Sequence, residues 1–256
     1  MGKNAEKIVF IGAGRVATEL GLALKGKYNI VQVYSRTNAS AKKLAGKLNC
    51  GFTDKLEKVD KNADLYIIAV KDDAIAKVAQ GLGLKVKTVF HTSGGVGMEV
   101  LKGVSENIGV LYPPHTFKGN KAFPKNMPCC IEASNANVKK KLTDLAKDLS
   151  GKVYYMDSDQ RAGLHLAAVF ANNFSNHMFT IADELTTRAH IPFELVKHLI
   201  KETVDKLDEA RPGKNQTGPA NRGDVKTLKK HEQMLKDNAR YLSIYKLISK
   251  SIQENK

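Results

Sequence analysis

Short apolar runs alternate with amphipathic stretches through the first part of the chain, and helical periodicity takes over in the rest. Residues 8–11 (Ile-Val-Phe-Ile) are apolar, rich in β-branched side chains and uninterrupted by charge, the pattern of a parallel strand buried on both faces. Val16, Leu20, Ala23 and Leu24 follow at helical spacing, and residues 30–34 form a second strand at the offset of a βαβ unit. A helix over 39–48, an apolar central strand over 63–70 and a helix over 74–80, with Asp72 or Asp73 as its N-cap, continue the alternation. Strands over 88–91 and 108–112 come next, and then a strand, helix and strand over 128–133, 137–149 and 152–156. Strands that alternate with helices in this way predict an α/β fold with a doubly wound, mostly parallel sheet.

After Met156 the period changes. Asp157 and Gln160 have the form of a capping box, and no proline or run of glycines interrupts the helical pattern from there to His190. One unbroken helix over that span would be about 50 Å long. Pro192 opens a further helix to about residue 209, a loop over 211–223 follows, and Asp224 caps the next helix. A break near Asn238 separates the last two. The expected organisation is a sheet domain over 1–156 followed by an all-α domain over 157–256.

Composition narrows the class. The 42% hydrophobic content is spread evenly over 256 residues, and no apolar run approaches the roughly 20 residues of a membrane helix. The polar start, Met1 to Glu6, has no signal-peptide character, so a cytoplasmic location without membrane attachment is expected. The net charge of +15 comes mostly from single lysines, and the densest run, Lys139 to Lys141, shares its helix with Asp144 and Asp148. Aromatic residues are not interleaved with the basic ones, so nucleic acid is not an expected partner. The positive field would instead steer an anionic cofactor inward. Cys50, Cys129 and Cys130 have neither metal nor disulfide spacing, and neighbouring Cys129 and Cys130 on a strand point to opposite faces. The histidines form no metal cluster.

The candidate chemistry gathers where strands end. Gly12-Ala13-Gly14-Arg15-Val16-Ala17 joins the first strand to its helix in the Gly-x-Gly-x-x-Ala form of a dinucleotide fingerprint. Gly12 permits the turn, Gly14 lets backbone approach a pyrophosphate, and Ala17 lets the helix pack close, its N-terminus facing the phosphates. After the second strand come Ser35, Arg36 and Thr37, where an NAD-binding chain carries a carboxylate for the ribose 2′-hydroxyl. The missing carboxylate and the planar guanidinium favour a 2′-phosphate, hence NADP. Val70 and Lys71 end the central strand on the same ligand edge. His91 and Ser93, followed by Gly94, are either placed to meet the nicotinamide carboxamide or a substrate carbonyl or are a satisfied strand-end histidine and a turn serine, and His115 stands on a loop stiffened by Pro113 and Pro114.

On the long helix, His165, Asn172 and Asn176 fall within roughly 20° of one line at 3.6 residues per turn, with Asn173 to the side. Such a polar stripe meets either another helix's backbone or a substrate and nicotinamide. With the four motifs HTSGG, YPPHTF, AAVFANNFSNH and TGPANRGD in hand, the chain resembles a family of NADP-linked oxidoreductases, a Rossmann domain followed by a helical domain of unknown function. That helical half is distantly similar to those of pyrroline-5-carboxylate reductase, ketopantoate reductase and 6-phosphogluconate dehydrogenase. The resemblance implies hydride transfer between NADP(H) and a small, anionic ketone, imine or alcohol held between the domains, and a homodimer through the C-terminal helices. It departs from the hydroxyacid dehydrogenases of the wider group at Ala168 and Val169, which occupy the place of a helical lysine acid or base. Proton transfer is then left to His165, His115 or solvent, with Arg222 as an anchor for a substrate carboxylate. A non-catalytic NADP(H)-binding or sensing protein is the alternative.

Overall fold

The computed structural model describes residues 6–119 and 123–255. The chain divides into two compact units, Met1–Ala171 and Asn172–Lys256. The first is built on an eight-stranded sheet with β1 (Lys7–Ile11), β2 (Asn29–Tyr34), β3 (Gly51–Thr53), β4 (Leu65–Ile68), β5 (Thr88–His91), β6 (Asn107–Tyr112), β7 (Pro128–Ala133) and β8 (Lys152–Tyr155). Its order is β3-β2-β1-β4-β5-β6-β7-β8, parallel throughout except where β7 runs against β6. The chain reverses direction of travel across the sheet between β3 and β4, which flank opposite sides of the β1–β2 pair. Such a reversal opens a crevice beyond the carboxyl ends of the strands.

Alternation along β1 divides the core into two layers. Ile8 and Phe10 enter the layer formed with α1 (Arg15–Leu24), α2 (Asn38–Leu48) and α4 (Ala136–Leu149), among Leu20, Leu44, Leu142 and Leu145. Val9 and Ile11 enter the opposite layer, with Ile75 and Val78 of α3 (Ile75–Gln80), Leu101 and Ile108. Ile8, Val9, Phe10 and Ile11 are all fully buried, which is why the run after Lys7 tolerates no charge. Cys129 and Cys130 do point to opposite faces, Cys129 into the first layer and Cys130 beside Val110 and Tyr112.

Three local expectations need correction. The central strand is Leu65–Ile68, shorter than residues 63–70, because the chain turns at Ala69 after its N–H donates to the Ile11 carbonyl at 2.8 Å. Neither Asp72 nor Asp73 caps α3: both lie in a 3₁₀ turn, Asp72–Ala74, and the residue at the helix N-cap is Ala74. Residues 157–190 are not one α-helix. The segment is α5 (Ser158–Ala168), a π-helical stretch Val169–Phe174, and α6 (Ser175–Arg188). The i→i+5 turn changes the angular step per residue, so the 3.6-residue phase that aligned His165 with Asn172 and Asn176 does not carry across it. The three-residue edge strand β3 is short and half-polar and leaves little trace in the pattern.

The expected capping box at the start of α5 is present, with Gln160 N–H donating to Asp157 and the Asp157 N–H to the Gln160 side chain. One turn on, the buried Arg161 guanidinium donates to the Glu132 carboxylate of β7, to the Val96 carbonyl at 2.6 Å and to Ser158 Oγ at 3.2 Å. Ser158 Oγ donates to Glu132 and accepts from the Met98 N–H at 3.1 Å. A charge this deep is tolerated because it is paired and hydrogen-bonded. It fixes α5 to β7 and to the loop after β5.

The second unit is helical, with α6, α7 (Glu194–Asp205), α8 (Pro219–Arg222), α9 (Val225–Met234) and α10 (Ala239–Glu254). Asp224 caps α9 as expected, accepting from the Thr227 N–H, and at the expected break Asn238 caps α10, accepting from the Tyr241 N–H. Among the described residues of this unit, Ala220 and Tyr241 are the buried hydrophobic ones. Large apolar side chains stay open on α7, α9 and α10, including Leu195 at 65% exposure, Met234 at 73% and Leu247 at 70%. No described helix is long and apolar enough to cross a membrane.

Candidate functional site

The crevice is a cleft of about 710 Å³ lined by residues 12–16, 34–36 and 69–71 with Asp73, Ala74, Lys77, Val78 and Thr92. Its floor is the turn after β1. Gly12 has φ +121°, and a Cβ there would lie 2.2 Å from the Ala69 carbonyl oxygen, so glycine is the residue this approach of two strand ends allows. Gly14 is different: a Cβ would meet nothing within 4 Å, and the space stays free for a ligand beside the N-terminus of α1. Among the described residues no side chain caps that helix, and its first N–H groups remain able to receive an anion.

Ala13, Arg15 and Val16 join this wall, with Ser35 and the exposed Arg36 across from them and Val70 and Lys71 at the end of β4. Thr37 sits at the N-cap of α2 outside the lining, its N–H 3.5 Å from Ser35 Oγ. A smaller recess of about 310 Å³ on the other side of the turn is bordered by Arg15, Lys43, Lys47 and Lys118. Those lysines were not singled out by the sequence pattern, in which they are ordinary helix and loop positions. Together they give the nucleotide end a positive field.

Of the two readings of His91, the geometry matches the satisfied strand-end histidine. The ring is fully buried, with Nε2 3.3 Å from the Gly97 carbonyl and Nδ1 accepting from the Ser93 N–H at 3.2 Å. Both nitrogens thus belong to the loop that the histidine shapes, and none is left for a carboxamide. Burial pushes its pKa down to about 4, keeping the ring neutral. Ser93 Oγ accepts from the N–H groups of Gly95 and Val96, each at 3.1 Å, and closes the same turn.

Gly94 lies where a Cβ would come within 2.7 Å of the Tyr112 ring and 2.9 Å of His165 Nδ1. The Tyr112 hydroxyl and His165 Nδ1 are 3.3 Å apart, and their rings meet edge to face at 6.0 Å. Tyr112 is the last residue of β6, a position that carries no sequence signal of this contact. His115 stands 3.9 Å from the carboxylate of Glu19 and packs its ring on Phe117 at 5.1 Å. Glu19 is itself fully buried on α1 and accepts from the N–H groups of Lys118 and Gly119 at 2.9 and 2.6 Å. This carboxylate anchors the loop after β6 beside Arg15. In the second unit, Asn172 and Asn173 lie in the π-helical stretch, Asn176 is the second residue of α6 and Arg222 ends α8, all four exposed. Among the described residues no group of three His, Cys, Asp or Glu side chains is arranged to hold a metal ion.

Two family models match the chain: a Rossmann-like domain over residues 3–114 and the domain of unknown function DUF2520 over residues 127–252. The crystal structure of a putative NADP oxidoreductase from Bacteroides fragilis is 42% identical, with a TM-score of 0.90 over 98% of this chain and 99% of that one. The chain belongs to the same family. More distant likenesses extend the fold alone. An imine reductase from Myxococcus stipitatus, solved with NADP+, is 14% identical at a TM-score of 0.68 over 97% of this chain and 93% of that chain. A 1-pyrroline-5-carboxylate reductase from Streptococcus pyogenes is 14% identical at 0.65 over 98% and 100%. No curated protein matches.

The buried His91 makes stability depend on pH. Below about pH 6.5 the unfolded chain takes up a proton that the folded ring resists until about pH 4, so stability falls as pH drops through that window. The total is about 3 kcal/mol. Urea unfolding at neutral pH and near pH 4.5 should therefore show a steeper loss for the native chain than for His91→Gln; parallel losses would remove the argument.

Proposed function

We propose that this protein is an NADP-dependent oxidoreductase that moves hydride between NADP(H) and a small, anionic ketone, imine or alcohol. The observation that carries the reading is the cleft itself: a glycine turn and an uncapped helix N-terminus at one end, and Arg36 on the wall after β2 with no carboxylate among residues 34–37. The open space at Gly14 fits a pyrophosphate, and the Arg36 guanidinium fits a 2′-phosphate. The name of the Bacteroides fragilis relative agrees with this cofactor.

In this reading the N-terminal domain, residues 1–156, holds the nucleotide and residues 157–256 contribute the substrate side. Bound in the cleft, the nicotinamide supplies or accepts the hydride. The chain binds, orients and excludes water. Gly12 to Val16 hold the phosphates, Ser35, Arg36 and Thr37 the adenosine end, and Val70 and Lys71 border the path toward the nicotinamide. Ser93 and Gly94 shape the turn beside the reacting centre. His165 and His115 are the protein groups that can hold or deliver a proton there. Asn172, Asn173 and Asn176 supply amides for a polar substrate, and Arg222 a guanidinium for its carboxylate.

A homodimer through the helical unit belongs to the same proposal. Leu195, Leu199, Val204 and Leu207 lie along one stretch of α7 and its continuation, each more than half exposed. Burying such a side chain stabilises by roughly 1.5–3 kcal/mol. A helical unit with so little core of its own gains most of its stability from a second copy.

Arg36→Ala should weaken NADP+ binding roughly 10- to 100-fold while leaving NAD+ binding little changed, read by calorimetry; equal losses would sink the 2′-phosphate assignment. Stopped-flow oxidation of bound NADPH by a panel of small keto acids and cyclic imines should reveal at least one acceptor. Tight binding with no oxidation by any of them would favour the sensing alternative. Light scattering at micromolar protein should give twice the chain mass, and a monomer would remove the dimer.

A further inference from the structure

We propose that Tyr112 is a positioning residue for His165: its hydroxyl donates to Nδ1, holds the imidazole proton on Nε2, and so presents that nitrogen as the hydrogen-bond donor to the substrate's oxygen or nitrogen. The assignment rests on the oxidoreductase reading for its purpose, though the pairing stands on geometry alone. The hydroxyl is 3.3 Å from Nδ1 and the rings are nearly perpendicular, at 80°. Burial raises the Tyr112 pKa, so the phenol keeps its proton and acts as a donor at neutral pH. Which nitrogen of a neutral histidine carries the proton is set by the bond the other one makes. With Nδ1 accepting, Nε2 is the N–H. His165 is only half-buried, which leaves that N–H the part of the pair within reach of a ligand.

The surroundings are built around this contact. A side chain at Gly94 would occupy the place where the two rings meet, at 2.7 Å from Tyr112 and 2.9 Å from His165. The glycine is held there by two constraints. Ser93 Oγ closes the turn onto Gly95 and Val96, and the Val96 carbonyl accepts from the buried Arg161. Arg161 precedes His165 by four residues on α5, so the group that pins the loop also sets the rotation of the helix that carries the histidine. Asp72 Oδ2 and the His165 ring both border Gly95, each about one van der Waals contact from where its Cβ would be. The lysine place one turn along the helix is taken by Ala168 and Val169, and the His165 imidazole, with its tautomer fixed, supplies a hydrogen-bond donor one turn earlier.

The test reads the tautomer directly, without a substrate. Long-range proton–nitrogen correlation spectra of the 15N-labelled full chain at mildly alkaline pH, with His165 identified by His165→Gln, should show Nε2–H in the native protein. Tyr112→Phe should give a mixture of tautomers while NADPH affinity stays within twofold, which also reports that the fold is intact. Gly94→Ala keeps both side chains but forces them apart, and should produce the same mixture. An Nδ1–H tautomer in the native chain, or spectra that neither substitution changes, would overturn the proposal. Failure of the native chain to bind NADPH would sink the functional reading and leave the tautomer result to stand or fall by itself. With an acceptor in hand, Tyr112→Phe should lower kcat about 10- to 100-fold, the range for losing a hydrogen-bond partner that orients a metal-ligating histidine.

Discussion

The end of β1 and the end of β4 approach until nothing larger than a hydrogen fits between them. A Cβ on Gly12 would stand 2.2 Å from the Ala69 carbonyl oxygen, and the positive φ of Gly12 turns the chain away from the sheet within one residue. Everything on the nucleotide side follows from that contact. It lets α1 begin directly over the crevice, brings Ala13 to Val16 against the ends of β2 and β4, and leaves the first N–H groups of the helix facing open space. The two core layers serve the same geometry, since β1 buried on both faces cannot shift without exposing Ile8 and Phe10 on one side or Val9 and Ile11 on the other.

A second close approach lies at Gly94, two residues past Thr92 of the cleft lining. Here the scarce space is taken by side chains, Tyr112 and His165, and the restraint comes from a buried cation. Arg161 satisfies Glu132, Ser158 and the Val96 carbonyl together, so that β7, the first turn of α5 and the loop after β5 share one electrostatic anchor. A buried ion pair stabilises little in net terms against an apolar alternative, but it is strongly directional. That directionality is what a helix needs when a histidine on its next turn must meet a tyrosine at the end of a strand.

The two units differ in what holds them. The first buries complete apolar layers on both faces of its sheet, and its stability needs no other explanation. The second is helical by propensity, capping and surface ion pairs such as Lys206 with Glu202, contacts that contribute little each. Its apolar residues stay open, with a recess of about 350 Å³ lined by Met178, Ile181, Leu185, Ile244 and Ile248.

Local chemistry was enough to fix the sheet and its ligand edge. Uninterrupted β-branched runs, the Gly12 and Gly14 turn, the box at Asp157, the cap at Asp224 and the break at Asn238 are decided by residues within a few positions of each other, and a linear reading recovers them. The lining role of Arg15, Ser35, Arg36, Val70 and Lys71 was legible for the same reason, since strand ends and the residues after them must border the crevice. What depends on residues far apart in the chain was not. His91 looks like a ligand at a strand end, yet the Gly97 carbonyl and Ser93 N–H claim both nitrogens. The π-helical stretch at Val169–Phe174 inserts a residue that periodicity cannot see, and the pairs Glu19 with the 118–119 loop, Arg161 with Glu132, and Tyr112 with His165 join positions 29 to 100 residues apart. Only the fold brings such groups within hydrogen-bond reach, and burial then decides which of them remain able to act on a ligand.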